Sequence, residues 1–109
     1  MSYNIKTISN FDNNLKRLSK KYNSIKDDVK LFGNMLASDP RMGTELFANC
    51  YKIRLPIASK NKGKRSGAII ITYVYVENKT VYLLSIYDKS QQDNISKQDL
   101  QKLSESIDF

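Results

Sequence analysis

From Tyr51 to Arg65 the chain reads YKIRLPIASKNKGKR, which sets Lys52, Arg54, Lys60, Lys62, Lys64 and Arg65 within fifteen residues and without one acid among them. Cations at that density hold polyanionic backbone, so the first expectation is contact with RNA or DNA. The same side chains could do chemistry on RNA without a metal. The ribose 2′-OH attacks the adjacent phosphate when a base takes its proton, cations stabilise the pentacoordinate transition state and an acid protonates the leaving oxygen. A lysine among like charges has its pKa pushed down, because each neighbour disfavours its charged form; Lys52 is the first candidate base and Lys64 the second. Arg54 and Arg65 keep their protons, and their forked donors suit phosphate placement and transition-state charge. Tyr73 or Tyr87 could stack on a splayed base or act as the acid.

The rest of the inventory closes other routes. The chain has no His and a lone Cys50, so zinc sites, Ser-His or Cys-His nucleophile systems and His-based proton transfer are ruled out. No metal or cofactor is expected. Cys50 sits in a strand pattern and reads as a small buried hydrophobe in a reduced compartment. With 109 residues, 40% hydrophobic and 27% charged, residues 1–109 make a single folded domain. The net charge of +7 favours acidic partners. The start, MSYNIKTISNF, lacks the apolar core of a signal peptide, and the longest apolar run falls well short of the ~20 residues of a bilayer span. A cytoplasmic location follows as the expectation.

Four strands and three helices must position those side chains. Ser9-x-x-Asp12, Ser24-x-x-Asp27 and Ser96-x-x-Asp99 repeat a helix-start pattern in which a hydroxyl and a carboxylate satisfy orphan backbone donors. Phe11, Leu15, Leu18 and Tyr22 then recur at helical spacing, as do Ile25, Val29, Phe32 and Leu36 up to Asp39-Pro40. A short Lys21-Tyr22-Asn23 link makes the two an antiparallel helical hairpin. Lys16, Arg17, Lys20 and Lys21 read as its solvated surface. Arg41 to Asn49 reads as a connector. Tyr51, Ile53, Leu55 and Ile57 alternate with Lys52 and Arg54, the period of a half-buried strand. Ile69 to Val76 is apolar on both faces, like a central strand, and Glu77-Asn78-Lys79 turns it into Val81 to Tyr87. Tyr3 to Ile8 supplies an edge strand, and a short helix with Leu100, Leu103 and Ile107 closes the chain. Two helices cover one side of a four-stranded sheet. The other side, with Lys52, Arg54, Ile69, Ile71, Tyr73 and Tyr87, is expected to be an open concave surface suited to RNA.

This order of elements, with Cys50-Tyr51-Lys52-Ile53-Arg54-Leu55, the loop Lys62-Gly63-Lys64-Arg65-Ser66-Gly67 and the strand end Leu83-Leu84-Ser85-Ile86-Tyr87-Asp88-Lys89, resembles the RelE/ParE toxin superfamily, and within it the HigB-like toxins. The resemblance covers nearly the whole chain. It implies an α+β, RelE-like fold: an N-terminal strand and helical hairpin packed on one face of a small, mostly antiparallel four-stranded sheet, with a short C-terminal helix. It implies a type II toxin that cleaves messenger RNA on the ribosome without metal and is neutralised by an acidic antitoxin, of helix-turn-helix type for HigB. Lys52 and Arg54 match the family's paired cations, the basic loop matches that of HigB-like members, and Lys89 matches the cation after the last strand. The expected catalytic set is Lys52, Arg54, Lys64, Arg65 and Tyr87, with Lys60, Lys62, Tyr73 and Lys89 on RNA. The chain departs from RelE-like nucleases at Ile69, where they carry an Arg, and near Ser90 and Ser96, where they carry an Arg and a Tyr. A gyrase-inhibiting toxin of the ParE kind and a noncatalytic nucleic-acid-binding or decayed toxin are the alternatives.

Overall fold

The computed structural model describes residues 2–59, 67–92 and 94–109. Among them run β1 (Asn4–Thr7), α1 (Ser9–Lys21), α2 (Ile25–Ser38), β2 (Thr44–Phe47), β3 (Cys50–Leu55), β4 (Ala68–Tyr75), β5 (Thr80–Asp88) and α3 (Lys97–Glu105). The strands form one sheet in the order β1-β5-β4-β3-β2, with β1 parallel to β5 and the other pairings antiparallel. No helix among the described residues is long and apolar enough to cross a membrane.

The expected alternation along β3 is realised. Tyr51, Ile53 and Leu55 join Phe11, Ile25, Phe32 and Leu36 in the core under the helical hairpin. Burying each such Phe, Leu or Ile contributes roughly 1.5–3 kcal/mol. The hairpin itself is as expected, with α2 stopping before Asp39-Pro40. The stretch expected to be a connector holds instead a fifth strand, β2, whose four residues are all exposed. An exposed edge strand shows no alternation to betray it. It is built by a two-residue hairpin in which Ala48 and Asn49 take positive φ of 43° and 69°, the backbone that tight hairpins need. At its other end Gly43 has φ +94°, and a Cβ there would stand 2.5 Å from the Lys52 carbonyl oxygen.

Two of the three expected caps do not form. The Ile8 N–H donates to the Leu83 carbonyl at the sheet edge and its carbonyl accepts from Asp12, so the chain enters α1 one residue early and Ser9 is already helical. Ser24 turns its hydroxyl outward, donating to the Asp28 carboxylate at 2.7 Å and accepting from the Ser59 N–H at 2.8 Å. It thereby ties the start of α2 to the segment after β3. Only Ser96 caps as expected, accepting from the Asp99 N–H at 3.0 Å.

The second sheet face departs most from expectation. Ile69, Ile71, Tyr82 and Leu84 are not open to solvent: Leu100 and Ile107 pack on them with Cys50 as a second core. Phe109 sets its ring edge-on to Tyr75, Tyr82 and Tyr73 at 4.7, 5.6 and 6.1 Å. The central strand is apolar on both faces because both are covered.

Two substitutions test this account. Gly43→Ala should cost more than 1 kcal/mol by the order of magnitude of left-handed strain alone, with the β2-β3 pairing losing amide protection first. Thr72 is fully buried with no hydrogen-bond partner for its hydroxyl among the described residues. Thr72→Val should therefore raise stability by about 1 kcal/mol in urea denaturation.

Candidate nucleic-acid interface

Antiparallel register places the candidate side chains in rows across the sheet. Arg54 on β3 pairs with Ile69 on β4, which pairs with Tyr87 on β5. Simple alternation from Tyr82 would turn Tyr87 toward the helical hairpin. The register shift between Ile71 and Thr72 sets Leu84 and Ser85 together opposite Ile71. That extra residue is a bulge, which reverses the facing of everything after it. Tyr87 thereby shares the face of Arg54, while Ile86 and Asp88 point to the hairpin side.

The centre of this face is apolar and roofed, so the open cationic surface lies at one end of the sheet. Arg54 is exposed, and Lys52, Tyr87 and Lys89 are half-buried, the Tyr87 hydroxyl itself being shut off from solvent. The Lys52 ammonium donates to the Asn94 side chain at 2.9 Å, which ties the basic strand to the segment leading into α3. The Lys89 N–H donates to the Gly67 carbonyl at 3.0 Å. The expected contacts of Lys60, Lys62, Lys64 and Arg65 fall on residues 60–66, outside the described residues. Their anchors are clear: Ala58 and Ser59 are held by Asp28 and Ser24, and Gly67 opens β4 beside Lys89. Gly67, the first described residue after that stretch, therefore stands at the end of the sheet that carries Arg54, Tyr87 and Lys89.

Tyr73 is not brought to this group. It stands four residues along β4 from Ile69, some 13 Å at about 3.3 Å per residue, and meets Phe109 and Tyr82. Desolvation raises its pKa, so the phenol is a poorer proton donor than a solvated one. Burial likewise pushes the Cys50 thiol up to about 11, in keeping with a core role.

The group that holds this end together was not singled out from the sequence. Asp88 is 1% exposed. One carboxylate oxygen accepts from the Tyr22 hydroxyl at 2.5 Å and has the Lys21 ammonium 3.6 Å away; the other accepts from the Ser90 hydroxyl and N–H at 2.7 and 2.9 Å. This knot joins the end of α1 to the end of β5, between Tyr87 and Lys89. Its one trace in the sequence is an acid directly after an apolar strand, next to a basic residue. Asn94 on Lys52 left no such trace.

No family model matches the chain, but solved structures do. An E. coli RelE double mutant in the free state superposes with a TM-score of 0.63 at 18% identity, covering 98% of this chain and 99% of that one. The chain has the RelE-like toxin fold. The intact E. coli RelBE toxin-antitoxin complex matches at TM-score 0.57 and 20% identity over 78% of this chain and 94% of that one. The RelE mutant with an antitoxin RelBc peptide matches at 0.57 and 19%, over 99% of this chain and 97% of that one. The sheet here carries β2 in addition to the expected four strands.

Two outcomes are expected. Asp88→Ala should cost about 3 kcal/mol, since hydrogen bonds to a charged group contribute roughly 1.5–3 kcal/mol each, and Tyr22→Phe about half of that; urea midpoints within error of the parent would refute the knot. Folded protein at pH 8 should resist iodoacetamide at Cys50 for hours, while protein in 8 M urea, where the thiol regains its ordinary acidity, alkylates in minutes by mass spectrometry (~8 M being a standard unfolding condition).

Proposed function

We propose that this chain is the toxin of a toxin-antitoxin pair and a metal-independent endoribonuclease that cuts messenger RNA on the ribosome. The observation that carries the reading is the row Arg54-Ile69-Tyr87, in which the bulge of β5 turns a phenol onto the face and end of the sheet that bear the cations. The RelE-like fold over nearly the whole chain supports it.

In this reading RNA lies across the open end of the sheet, outside the apolar roof. Arg54, with Arg65, places the scissile phosphate and takes up the charge of the pentacoordinate transition state. Lys52, with Lys64 as second candidate, receives the 2′-OH proton. Tyr87, whose hydroxyl is buried while its ring is partly exposed, stacks on the neighbouring base, and Lys89, Lys60 and Lys62 hold flanking phosphates. Tyr73, remote from the row, takes no part in the cut. An acidic antitoxin, of helix-turn-helix type, covers the basic surface and associates fast through complementary charge. The protein acts in the cytoplasm, where its target is.

One observation favours a second reading. Ile69, 1% exposed, stands between Arg54 and Tyr87, so the middle of the row offers no donor to a transition state, as befits a protein that binds RNA without cutting it.

Expression of the chain alone should arrest growth and leave cleaved messages, and Lys52→Ala or Arg54→Ala should lower cleavage in translating extracts by about 100- to 10,000-fold. Intact messages with continued translation would sink the toxin reading. Salt-dependent RNA binding without cleavage would favour the second, and inhibition of supercoiling by purified gyrase would point to a ParE-like target instead.

A further inference from the structure

A groove of about 680 Å³ lies between α1, the far end of β5 and α3, a size within the roughly 300–1,000 Å³ of small-ligand sites. It exists because β1 pairs with β5 only as far as Leu83, so the last residues of β5, paired with β4 on one side, have no strand on the other. α1 takes the strand's place with side-chain amides. Asn10 donates to the Leu84 carbonyl at 3.0 Å, and Asn14 accepts from the Ile86 N–H at 3.3 Å and the Ser85 hydroxyl at 3.1 Å. Asn10, Asn14, Arg17 and Lys21 follow one another at helical spacing and line one bank. This stripe is immediately beside the apolar stripe of α1.

The charges of the groove favour an anion. Lys21 faces Asp88, whose carboxylate is already engaged by Tyr22 and Ser90. Arg17 on the α1 bank and Lys102 on the α3 bank remain, against Asp99 as the other acid of the lining. Leu18, Ile86, Ile95 and Leu103 supply an apolar floor on which a flat ring can lie. Gln91 and Gln92, both exposed at the mouth, offer donors and acceptors for a base edge. An extended acidic peptide fits less well, because Leu84 and Ile86 already give their backbone groups to Asn10 and Asn14. Tyr87 forms part of the groove wall and belongs to the row with Arg54, so the groove and the basic end of the sheet meet at that residue.

We propose that this groove binds one nucleotide of a single-stranded RNA, its phosphate between Arg17 and Lys102 and its base on the apolar floor against Gln91 and Gln92, adjacent to the nucleotide held at Arg54 and Tyr87. The choice of RNA as ligand rests on the function proposed above. A titration of the full chain with 5′-AMP should shift the side-chain amide resonances of Gln91, Gln92 and Asn10, and hexaglutamate should leave them in place. The exposed double substitution Arg17→Gln with Lys102→Gln should weaken binding of a labelled RNA oligonucleotide roughly tenfold and lower the salt slope by about 1.4, at ~0.7 per cation lost. In a translating extract the same variant should raise KM and spare kcat. Unmoved amides with 5′-AMP, equal shifts with hexaglutamate, or an unchanged salt slope would overturn the groove assignment, even where the parent cleaves messages. A parent that fails to cleave while its groove amides respond to 5′-AMP supports the groove and removes the nuclease reading alone.

Discussion

The buried carboxylate of Asp88 is the constraint on which the candidate site depends. A carboxyl group with 1% exposure would cost about 2–7 kcal/mol left without hydrogen-bond partners. Here it is solvated by the protein: a phenol from the end of α1 on one oxygen, a hydroxyl and a backbone N–H from the turn after β5 on the other. Lys21 adds little, because it is 55% exposed at 3.6 Å and an ion pair so open to water is worth under about 1 kcal/mol. The hydrogen bonds are directional, so they fix where β5 ends relative to the helical hairpin. Tyr87 and Lys89 flank Asp88 in the chain and inherit that placement.

A second constraint acts along the strand. Facing in a sheet is a matter of parity, and one additional residue exchanges the two faces for everything beyond it. In β5 the extra residue falls at Leu84-Ser85, where Ser85 turns to the edge and Asn14 receives its hydroxyl. A polar residue inside LLSIY is thus the point at which the strand can afford to leave strict alternation. The consequence reaches two residues on, where an aromatic side chain and a carboxylate exchange sides. Ile86 keeps its place in the core and Tyr87 comes to lie beyond Ile69 from Arg54.

These two features mark the boundary of what was legible in the chain. The helical hairpin, the basic strand and the central strand follow from periodicity, because burial on one face writes itself into spacing; so does the assignment of Lys52 and Arg54 to one face. The fifth strand left no period, since all four residues of β2 are exposed and its hairpin rests on Ala48 and Asn49 instead of a glycine. The roof over the second face is hidden in the sequence for a related reason. α3 and the residues after it commit only Leu100, Leu103 and Ile107, too few to announce a layer, while Ile69, Ile71 and Leu84 announce a covered face plainly. Asn94, Asp88 and the Asn10-Asn14 pair act through contacts distant in sequence, and no local pattern encodes those.

The covered centre also decides how a polyanion can be held. Cations in the middle of a small sheet would have to be desolvated beneath α3, at a cost that attraction to phosphate need not recover. Placed at strand ends, Arg54 stays exposed and Lys89 half-exposed, and the apolar row between them and α3 stays intact as the core of the second face. Ile69 is then a structural necessity of a roofed sheet: a guanidinium at that position would replace an isoleucine that is 1% exposed beneath Leu100 and its neighbours. The described cations of this face stand instead at the margin of the sheet, where a change of contact unsettles neither core, and the neighbouring groove, also marginal, shares Tyr87 with them.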